Sequence, residues 1–419
     1  MGQRKLYRVG ISVYTFIRRK KHVSRYISEI FSVIILGCLF YVFMFMLIGR
    51  QINHHSDYDS YTRQALLWLE GKTSLNEDIA WLELAVYQGK YYISFPPVPS
   101  LFILPLAALY GLQTPNTLLT AIYGMLSFCL VFCYTRYIRH RTYSEALFWA
   151  GFIVFGCNIL YLSLEGAAWY QAQVLCFLMS VCSICALSAK KPALNYAGVL
   201  FWALSVGCRP FNAVFLPVIV LLLARSHGID RLNPVLGLAK RLWKYFIPAA
   251  VVFALLLYYN WVRFGDLFEF GHNYLPGMVS FPDGQFSLKY VWPNLRKSFH
   301  FPELVNGRLQ FKASDCNFLL LVNPVYILWI SVFFKRDLKP ETWMVAGLVL
   351  VNALALYMHN TLGVMQFGFR YFVDMIPWIA FAMLDSDVKL TKPVLLLAAY
   401  SVLINIYGAL WFHLKLYKI

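Results

Sequence analysis

Long apolar runs recur along the whole chain, and they restrict its fold more than any other feature. Hydrophobic residues make up 60% of the 419 residues, and the mean hydropathy is +0.58. A helix needs about 20 apolar residues to cross about 30 Å of hydrocarbon. Only helices and closed barrels satisfy their backbone in lipid, and continuous rather than alternating apolar runs favour helices. The sequence therefore predicts an all-α polytopic membrane protein.

The apolar runs predict eleven transmembrane helices within a single domain over residues 1–419. The predicted spans are 30–48, 116–135, 145–163, 167–187, 193–208, 211–224, 245–261, 315–334, 342–358, 371–384 and 393–412. A further apolar segment, 98–112, is short and is bracketed by Pro97, Pro99 and Gly111. Counting it as a crossing would invert the charge bias of every later loop. We therefore predict that it is an interfacial or re-entrant helix.

Basic residues, which give the chain a net charge of +17, are concentrated before the first predicted span and in the short connectors. Because Lys and Arg mark cytoplasmic loops, this bias places the N-terminus in the cytoplasm. The charge is then explained by topology and by attraction to anionic membrane lipid, and a nucleic-acid partner is not expected. The basic N-terminal residues precede a span that is too long to be the apolar part of a signal peptide, so no cleavable signal peptide is predicted.

The nine cysteines lie almost wholly inside apolar runs. They are Cys38, Cys129, Cys133, Cys157, Cys176, Cys182, Cys185, Cys208 and Cys316. They show neither metal-ligand spacing nor a disulfide framework in the loops. We expect them to pack as small apolar residues.

Two long polar loops, 51–99 and 263–317, fall on the predicted outer face, where any chemistry is expected. In the first, Asp59 precedes a segment of helical periodicity that Gly71 ends. Asp59 is a candidate functional carboxylate, although an N-cap role is the plain alternative. Asp57 is a second carboxylate two residues earlier. Lys90, beside Tyr91, is either a ligand-binding cation or part of an interfacial aromatic belt.

Ionisable residues at the ends of predicted spans are expensive to bury in lipid and are therefore candidates for a polar cavity. They include Glu165, Arg209 and Arg370. Arginine suits phosphate because its planar guanidinium binds two oxygens at once. An ordinary interhelical ion pair is an equal alternative for each, and Asp374 lies one helical turn from Arg370.

Three sequence blocks carry a resemblance to a known superfamily. They are Asp59-Ser60-Tyr61 with Ala65, Leu69, Gly71-Lys72, Gly89-Lys90-Tyr91-Tyr92 and Pro97-Val98-Pro99; Tyr259-Asn260 with Arg263-Phe264-Gly265 and Glu269-Phe270-Gly271; and Gly368-Phe369-Arg370-Tyr371 with Asp374 and Pro377. With these three blocks in this order, the chain resembles the GT-C superfamily of membrane glycosyltransferases. It is especially similar to the bacterial family 39-like proteins, from the first span to about Pro377.

The resemblance implies an inverting transfer of a sugar from a polyprenyl phosphate carrier to a cell-envelope glycan or lipid acceptor. It implies a bacterial cytoplasmic membrane protein with its site facing outward. A carboxylate of the first outer loop would be the base; Asp59 matches best, and Asp57 stays open. Arg370 with Tyr371, then Arg263 and Lys90, would bind the donor phosphate. The remaining cavity candidates are Glu165, Arg209, Glu269 and His272.

Three questions stay open at this stage. The first is whether a divalent cation binds, since Asp57, Asp59, Glu165 and His272 offer ligand atoms but show no compact metal motif. A lipid or glycolipid transporter or flippase is the alternative function, although no inverted repeat is evident. A non-catalytic lipid-binding protein on the same scaffold is the third. No large soluble C-terminal domain follows the spans, so a peptide acceptor is not expected.

Overall fold

The computed structural model describes residues 2–229, 235–277, 281–312 and 317–416, and the structure there is mainly helical. Cys316 lies outside these ranges. Among the described residues, six helices are long and apolar enough to cross a membrane, and they correspond to six of the eleven predicted spans. These six are Ser24–Ile48, Asn116–Ile138, Ala168–Ser188, Gly237–Phe264, Pro340–Met358 and Lys392–Leu414. The predicted helical membrane class is confirmed.

The helices are numbered in chain order. They are α1 Gly2–Ile48, α2 Ser60–Leu69, α3 Val98–Tyr110, α4 Asn116–Cys133, α5 Tyr143–Phe155, α6 Ile159–Leu162, α7 Ala168–Ser188, α8 Pro192–Cys208, α9 Leu216–Ser226, α10 Val235–Leu242, α11 Ile247–Phe264, α12 Val291–Lys297, α13 Leu319–Val322, α14 Val325–Val332, α15 Pro340–Met358, α16 Ile376–Asp385 and α17 Lys392–Leu416. The strands are β1 Leu84–Tyr87, β2 Lys90–Ile93, β3 Glu303–Val305 and β4 Arg308–Gln310.

The other five predicted spans are shorter or interrupted helices. Residues 193–208 form α8, and 145–163 are divided between α5 and α6. Residues 315–334 contain α13 and α14, which are separated at Asn323 and Pro324, because proline supplies no backbone N–H. Residues 211–224 and 371–384 begin as the 3₁₀ segments Pro210–Phe215 and Arg370–Met375, which lead into α9 and α16.

Two of these interruptions meet in the interior, where their polar groups form hydrogen bonds with each other. The backbone N–H of Asn158 donates to Asn323 Oδ1 at 2.9 Å, and Asn323 Nδ2 donates to Asn158 Oδ1 at 2.6 Å. Asn158 Nδ2 also donates to the Phe367 carbonyl at 2.7 Å. Irregular backbone at membrane depth is tolerated where it is buried in protein and hydrogen-bonded. The sequence patterns did not reveal these breaks.

Ion pairs define two ends of the helix bundle, which we name by Glu29 and Asp59. At the Glu29 end, Arg136 Nε lies 2.8 Å from Glu29 Oε2, so α1 and α4 are antiparallel neighbours. At the Asp59 end, Arg50 pairs with Glu165. The connector after α4 is therefore on the side where α1 approaches Glu29, as the charge bias predicts.

Helix α3 begins and ends beside the same polar loop. Near its start, Ser100 Oγ donates to Gln64 Oε1 of α2 at 2.6 Å. After its end, the Thr114 carbonyl accepts from His55 Nδ1 at 2.9 Å. Both contacts are to the first polar loop, at the Asp59 end. This placement agrees with the interfacial or re-entrant helix predicted for 98–112.

The first polar loop contains the predicted helix and an antiparallel hairpin that the sequence patterns missed. α2 begins directly after Asp59, and Gly71 beyond its end has a φ of +68°. Strands β1 and β2 pair Leu84 with Ile93 and Tyr87 with Lys90. Gln88 and Gly89 connect them with φ of 50° and 73°, which is typical of a two-residue type I′ turn.

Candidate functional site

Asp59 is buried at the Asp59 end, with 2% of its surface exposed. It occupies the N-cap position of α2, but its side chain makes no capping hydrogen bond. Its Oδ1 instead accepts from Arg63 Nε at 2.7 Å, and its Oδ2 lies 3.5 Å from His55 Nε2. The capping interpretation therefore does not describe this carboxylate. Within the described ranges, Asp59 Oδ2 accepts no hydrogen bond.

The loop that carries Asp59 is fixed to the starts of α4 and α7. Ser56 exchanges two hydrogen bonds with the Asn116 side chain, at 2.9 and 3.2 Å. The Ala168 N–H donates to the Tyr58 carbonyl at 3.0 Å. A Cβ at Gly166 would lie 2.4 Å from Asn116 Oδ1, so only glycine permits this approach.

Asp57 has a different environment from Asp59. Its side chain is exposed, and its backbone carbonyl accepts a hydrogen bond from Trp81 Nε1 at 3.0 Å. No ion pair of the Asp57 side chain is found in the part of the chain that the structure describes. Burial thus distinguishes the two carboxylates that the sequence left as alternatives.

Arg370 is a buried cation, 4% exposed, at the start of the 3₁₀ segment Arg370–Met375. Its Nη1 donates to Gln173 Oε1 of α7 at 3.2 Å, and its guanidinium lies 4.9 Å from the Tyr371 ring centre. Among the described residues, no carboxylate is within ion-pair distance of Arg370, and its Nε has no hydrogen-bond partner. An unpaired buried charge of this kind is a candidate ligand contact.

Asp374, the residue one turn from Arg370, pairs with Arg209 instead. Arg209 Nε lies 2.9 Å from Asp374 Oδ2. The guanidinium of Arg209 is 4.8 Å from the Tyr371 ring centre, so both arginines are close to one tyrosine. Arg209 occupies the break between α8 and the 3₁₀ segment Pro210–Phe215, where the chain turns at the Asp59 end.

The second polar loop places His272 within electrostatic range of Arg209 and Arg263. Burial lowers the pKa of His272 to about 4, and the charges of Arg209 and Arg263 and the neighbouring His359 contribute to this shift. His272 is therefore neutral at pH 7. Glu269 holds the adjacent turn, because its two carboxylate oxygens accept from the Gly271 N–H at 2.6 Å and from Asn273 Nδ2 at 2.8 Å.

Arg263 and Lys90 lie at the β1–β2 hairpin. Arg263 Nη1 donates to the Ile93 carbonyl at 2.8 Å, and its Nη2 donates to Asn260 Oδ1 at 3.0 Å. Two of its three nitrogens are thus engaged in joining α11 to the hairpin. Lys90, at the first position of β2, is exposed.

A chain of aromatic contacts joins the surroundings of Asp59 to those of Arg370. The rings of Tyr58 and Trp169 are 4.9 Å apart, and the next residue, Tyr170, lies 5.6 Å from the Arg370 guanidinium. Tyr61 gives a second link: burial raises its pKa, and the nearby charge of Arg209 opposes that rise. The candidate base and the candidate cations therefore share one region around the start of α7.

The open question of a metal has a partial answer in the described residues. No three His, Cys, Asp or Glu side chains come together there as a ligand group. Asp57, Asp59, Glu165 and His272 are accordingly not assembled into one metal site. Glu165 is fully buried and is held by Arg50.

The sequence patterns missed three residues that contact Asp59 or Arg370. His55 lies beside Asp59, and Gln173 and Tyr170 of α7 contact Arg370. The polar pair His54-His55 before Asp59 was a visible signal. The two α7 residues fall inside an apolar run, where only a spatial contact distinguishes them.

No family model matches the chain, and no curated protein matches it. A crystal structure of ArnT from Cupriavidus metallidurans bound to undecaprenyl phosphate is similar to it, with a TM-score of 0.48 and 14% sequence identity. The match covers 86% of this chain and 61% of that chain, so the present chain spans less than two thirds of the ArnT length.

Proposed function

We propose that the chain is an inverting GT-C-type glycosyltransferase that takes a sugar from a polyprenyl phosphate carrier. The supporting observation is a buried carboxylate, Asp59, in the same region as a buried guanidinium without a carboxylate partner, Arg370. One group is suited to removing a proton and the other to holding a phosphate. The residue blocks that resemble GT-C enzymes contain both.

Asp59 is the proposed base. One of its oxygens is held by Arg63, which fixes the carboxylate, and the other accepts no hydrogen bond from the described residues. That oxygen takes the proton of the acceptor hydroxyl as the hydroxyl oxygen attacks the anomeric carbon. Positioned general bases contribute about 10²–10⁴-fold to such reactions. Asp57 is the weaker candidate because its exposed side chain is solvated by water.

Arg370 is the proposed contact for the donor phosphate, with Tyr371 beside it. The bond between the anomeric carbon and the phosphate oxygen breaks as the new glycosidic bond forms, and its electron pair leaves with the phosphate. The phosphate gains negative charge, and a fixed cation in a low-dielectric site stabilises it. Arg209 adds a second guanidinium near the same tyrosine, although Asp374 neutralises part of its charge.

The other candidates take supporting roles in this proposal. Arg263 fixes the β1–β2 hairpin and, with Lys90, adds positive charge at the Asp59 end. Glu269 shapes the turn that presents His272, and Glu165 with Arg50 fixes the segment before α7. The acceptor is a glycan or lipid of the cell envelope, and the site faces the outer side of a bacterial cytoplasmic membrane.

The test uses purified protein in lipid nanodiscs with polyprenyl phosphate sugars, and it measures released polyprenyl phosphate. We predict that Asp59→Asn lowers kcat by about 10²–10⁴-fold, because the amide cannot take the proton. The matched control, Asp57→Asn, should stay within about threefold of the wild type, since Asp57 is exposed.

Two results would contradict the proposal in different ways. A large loss in Asp57→Asn with an active Asp59→Asn variant would move the base to Asp57. Movement of the intact lipid between leaflets, with no polyprenyl phosphate released by the wild type, would identify a transporter instead.

A further inference from the structure

His55 faces Asp59 across the start of α2, and the sequence patterns assigned it no role. Its Nε2 lies 3.5 Å from Asp59 Oδ2, and its Nδ1 lies 2.9 Å from the Thr114 carbonyl oxygen. From this geometry we propose that His55 is the positioning residue that takes the proton from Asp59 after each transfer, an inference that rests on the proposed function.

The Thr114 carbonyl determines which nitrogen of His55 carries a proton. A carbonyl oxygen only accepts hydrogen bonds, so Nδ1 must be the protonated nitrogen in the neutral ring. Nε2 is then left with a lone pair directed towards the buried carboxylate. Two acceptors face each other, and a proton placed between them turns this unfavourable contact into a hydrogen bond. The pair is therefore built to bind one proton.

The other neighbours of Asp59 do not offer this exchange. Arg63 holds Oδ1, but a guanidinium stays protonated and cannot accept. Asp57 and His54 act electrostatically on His55, and neither forms a hydrogen bond or ion pair with it in the described ranges. The pKa of His55 is raised, because the Asp59 carboxylate favours the imidazolium more strongly than burial disfavours it.

The acceptor O–H proton passes to Asp59 while the glycosidic bond forms and the phosphate leaves with the electron pair of its bond to the sugar. The same proton then moves from Asp59 to His55 Nε2, which restores the carboxylate and leaves an imidazolium. The imidazolium loses the proton to water, to which it has access: the His55 side chain is 15% exposed, whereas that of Asp59 is 0% exposed.

Two substitutions separate the structural and the proton-accepting functions of His55. His55→Asn keeps an amide N–H near the position of Nδ1, so it retains a donor for the Thr114 carbonyl but has no group near Asp59. His55→Gln offers an amide N–H to Asp59 that does not titrate. His54→Asn is the matched control, because it removes the neighbouring histidine and leaves the pair intact.

The measurement is the pH profile of kcat/KM for polyprenyl phosphate release. In the wild type, activity should fall as the pH drops through the pKa of His55, since the imidazolium weakens Asp59 as a base. Both His55 variants should lose this acidic limb and be about tenfold less active at high pH, with the difference from the wild type shrinking at low pH. His54→Asn should keep the limb. Profiles of the His55 variants that run parallel to the wild type would overturn the proposal.

A second measurement does not depend on transfer activity. The pKa of His55 is followed by NMR in protein with ¹³C-labelled histidine, with His55→Asn used to assign the signal. Asp59→Asn should lower that pKa, because it removes the favourable charge. An unchanged pKa of His55 in Asp59→Asn would overturn the proposed His55–Asp59 pair, even if the wild-type protein releases polyprenyl phosphate. A lowered pKa in a protein that releases no polyprenyl phosphate supports the pair and contradicts the proposed function alone.

Discussion

At the residue scale, the buried charges of the Asp59 end differ in whether an opposite charge faces them. Glu165 forms an ion pair with Arg50, and Asp374 forms one with Arg209. Arg370 has amide and aromatic neighbours but no carboxylate within ion-pair distance in the described residues. Leaving a buried charge unpaired costs several kcal/mol, about 3–5 in measured cases. A bound anion would remove that cost, which is why Arg370 is the stronger candidate for phosphate.

We predict that Arg370→Lys lowers kcat by about 10- to 100-fold in addition to raising the KM of the lipid donor. The phosphate gains charge in the transition state, and lysine replaces a two-oxygen contact by a point charge. Steady-state kinetics of phosphate-lipid release measure both constants. A rise in KM with unchanged kcat would show equal binding of ground and transition states.

A double-mutant cycle provides the control for Arg370. Asp374 forms its ion pair with Arg209, so the coupling of Arg370→Lys with Asp374→Asn should be smaller than the coupling of Arg209 with Asp374, although the charge of Arg370 also acts on Asp374. Rescue of a misfolded Arg370→Lys variant by a change at Asp374 would instead make Arg370 a structural ion-pair partner. The cycle of Arg209 with Asp374 should show strong coupling.

His272 predicts an acid-sensitive stability. Its pKa is lowered from 6.5 to about 4, so in this interval the unfolded chain binds a proton that the folded chain does not. Stability therefore falls as the pH drops from 6.5 towards 4. Thermal unfolding in detergent should show a wild-type Tm that falls by a few degrees more over this range than the Tm of His272→Asn. The exposed His300 is the control, and an equal effect of His300→Asn would contradict this assignment.

At the element scale, interrupted helices shape the Asp59 end. Arg209 follows α8 where the 3₁₀ segment Pro210–Phe215 begins, and Arg370 is the first residue of the 3₁₀ segment that leads into α16. The guanidinium groups of the two arginines lie 4.8 and 4.9 Å from the ring centre of Tyr371. Helix α3 adds to this end because it packs along α2 and returns to His55.

The placement of α3 makes a prediction about accessibility. Gln88→Cys in the hairpin and Leu112→Cys after α3 should react with a membrane-impermeant maleimide from the outer side, in a background without other reactive cysteines. His140→Cys should react only after the membrane is opened. Labelling of positions 112 and 140 from the same side would show that α3 crosses the bilayer.

At the scale of the whole molecule, the Glu29 end joins connectors that are far apart in the chain. Asp385 is its centre: Arg139 Nη1, Lys339 Nζ and Arg225 Nη1 lie 3.1, 3.2 and 3.5 Å from its carboxylate. Three distant segments, namely the end of α9 and the connectors before α5 and α15, thus meet one side chain. The chemistry is proposed for the opposite end, so this cluster holds the bundle together without entering the site.

Asp385→Asn should therefore lower stability by about 3 kcal/mol, because three cations lose their shared partner. The kcat at a temperature where the variant stays folded should be nearly unchanged. Asp387→Asn is the matched control: its side chain is 70% exposed against 12% for Asp385, and exposed pairs contribute about 0–1 kcal/mol. Equal destabilisation by the two variants would contradict the central role of Asp385.

The sequence by itself determined the class of protein, the positions of the eleven apolar segments and the helix that follows Asp59. These features follow from local properties, namely the length of an apolar run, the Lys and Arg bias of its flanks and the periodicity of a short segment. The Glu29–Arg136 ion pair places the connector after α4 on the side that its Lys and Arg residues predict. That side could be predicted because the basic residues of each cluster lie together in one loop.

The tertiary structure alone decided which charges face each other. Arg209 and Asp374 are 165 positions apart, and Gln173 and Arg370 are 197 apart, so no local pattern pairs them. Asp59 is likewise buried because the starts of α4 and α7 pack against its loop. Asp57, two positions earlier, stays exposed. Burial and pairing depend on the packing of distant segments, and periodicity along the chain carries no information about that packing.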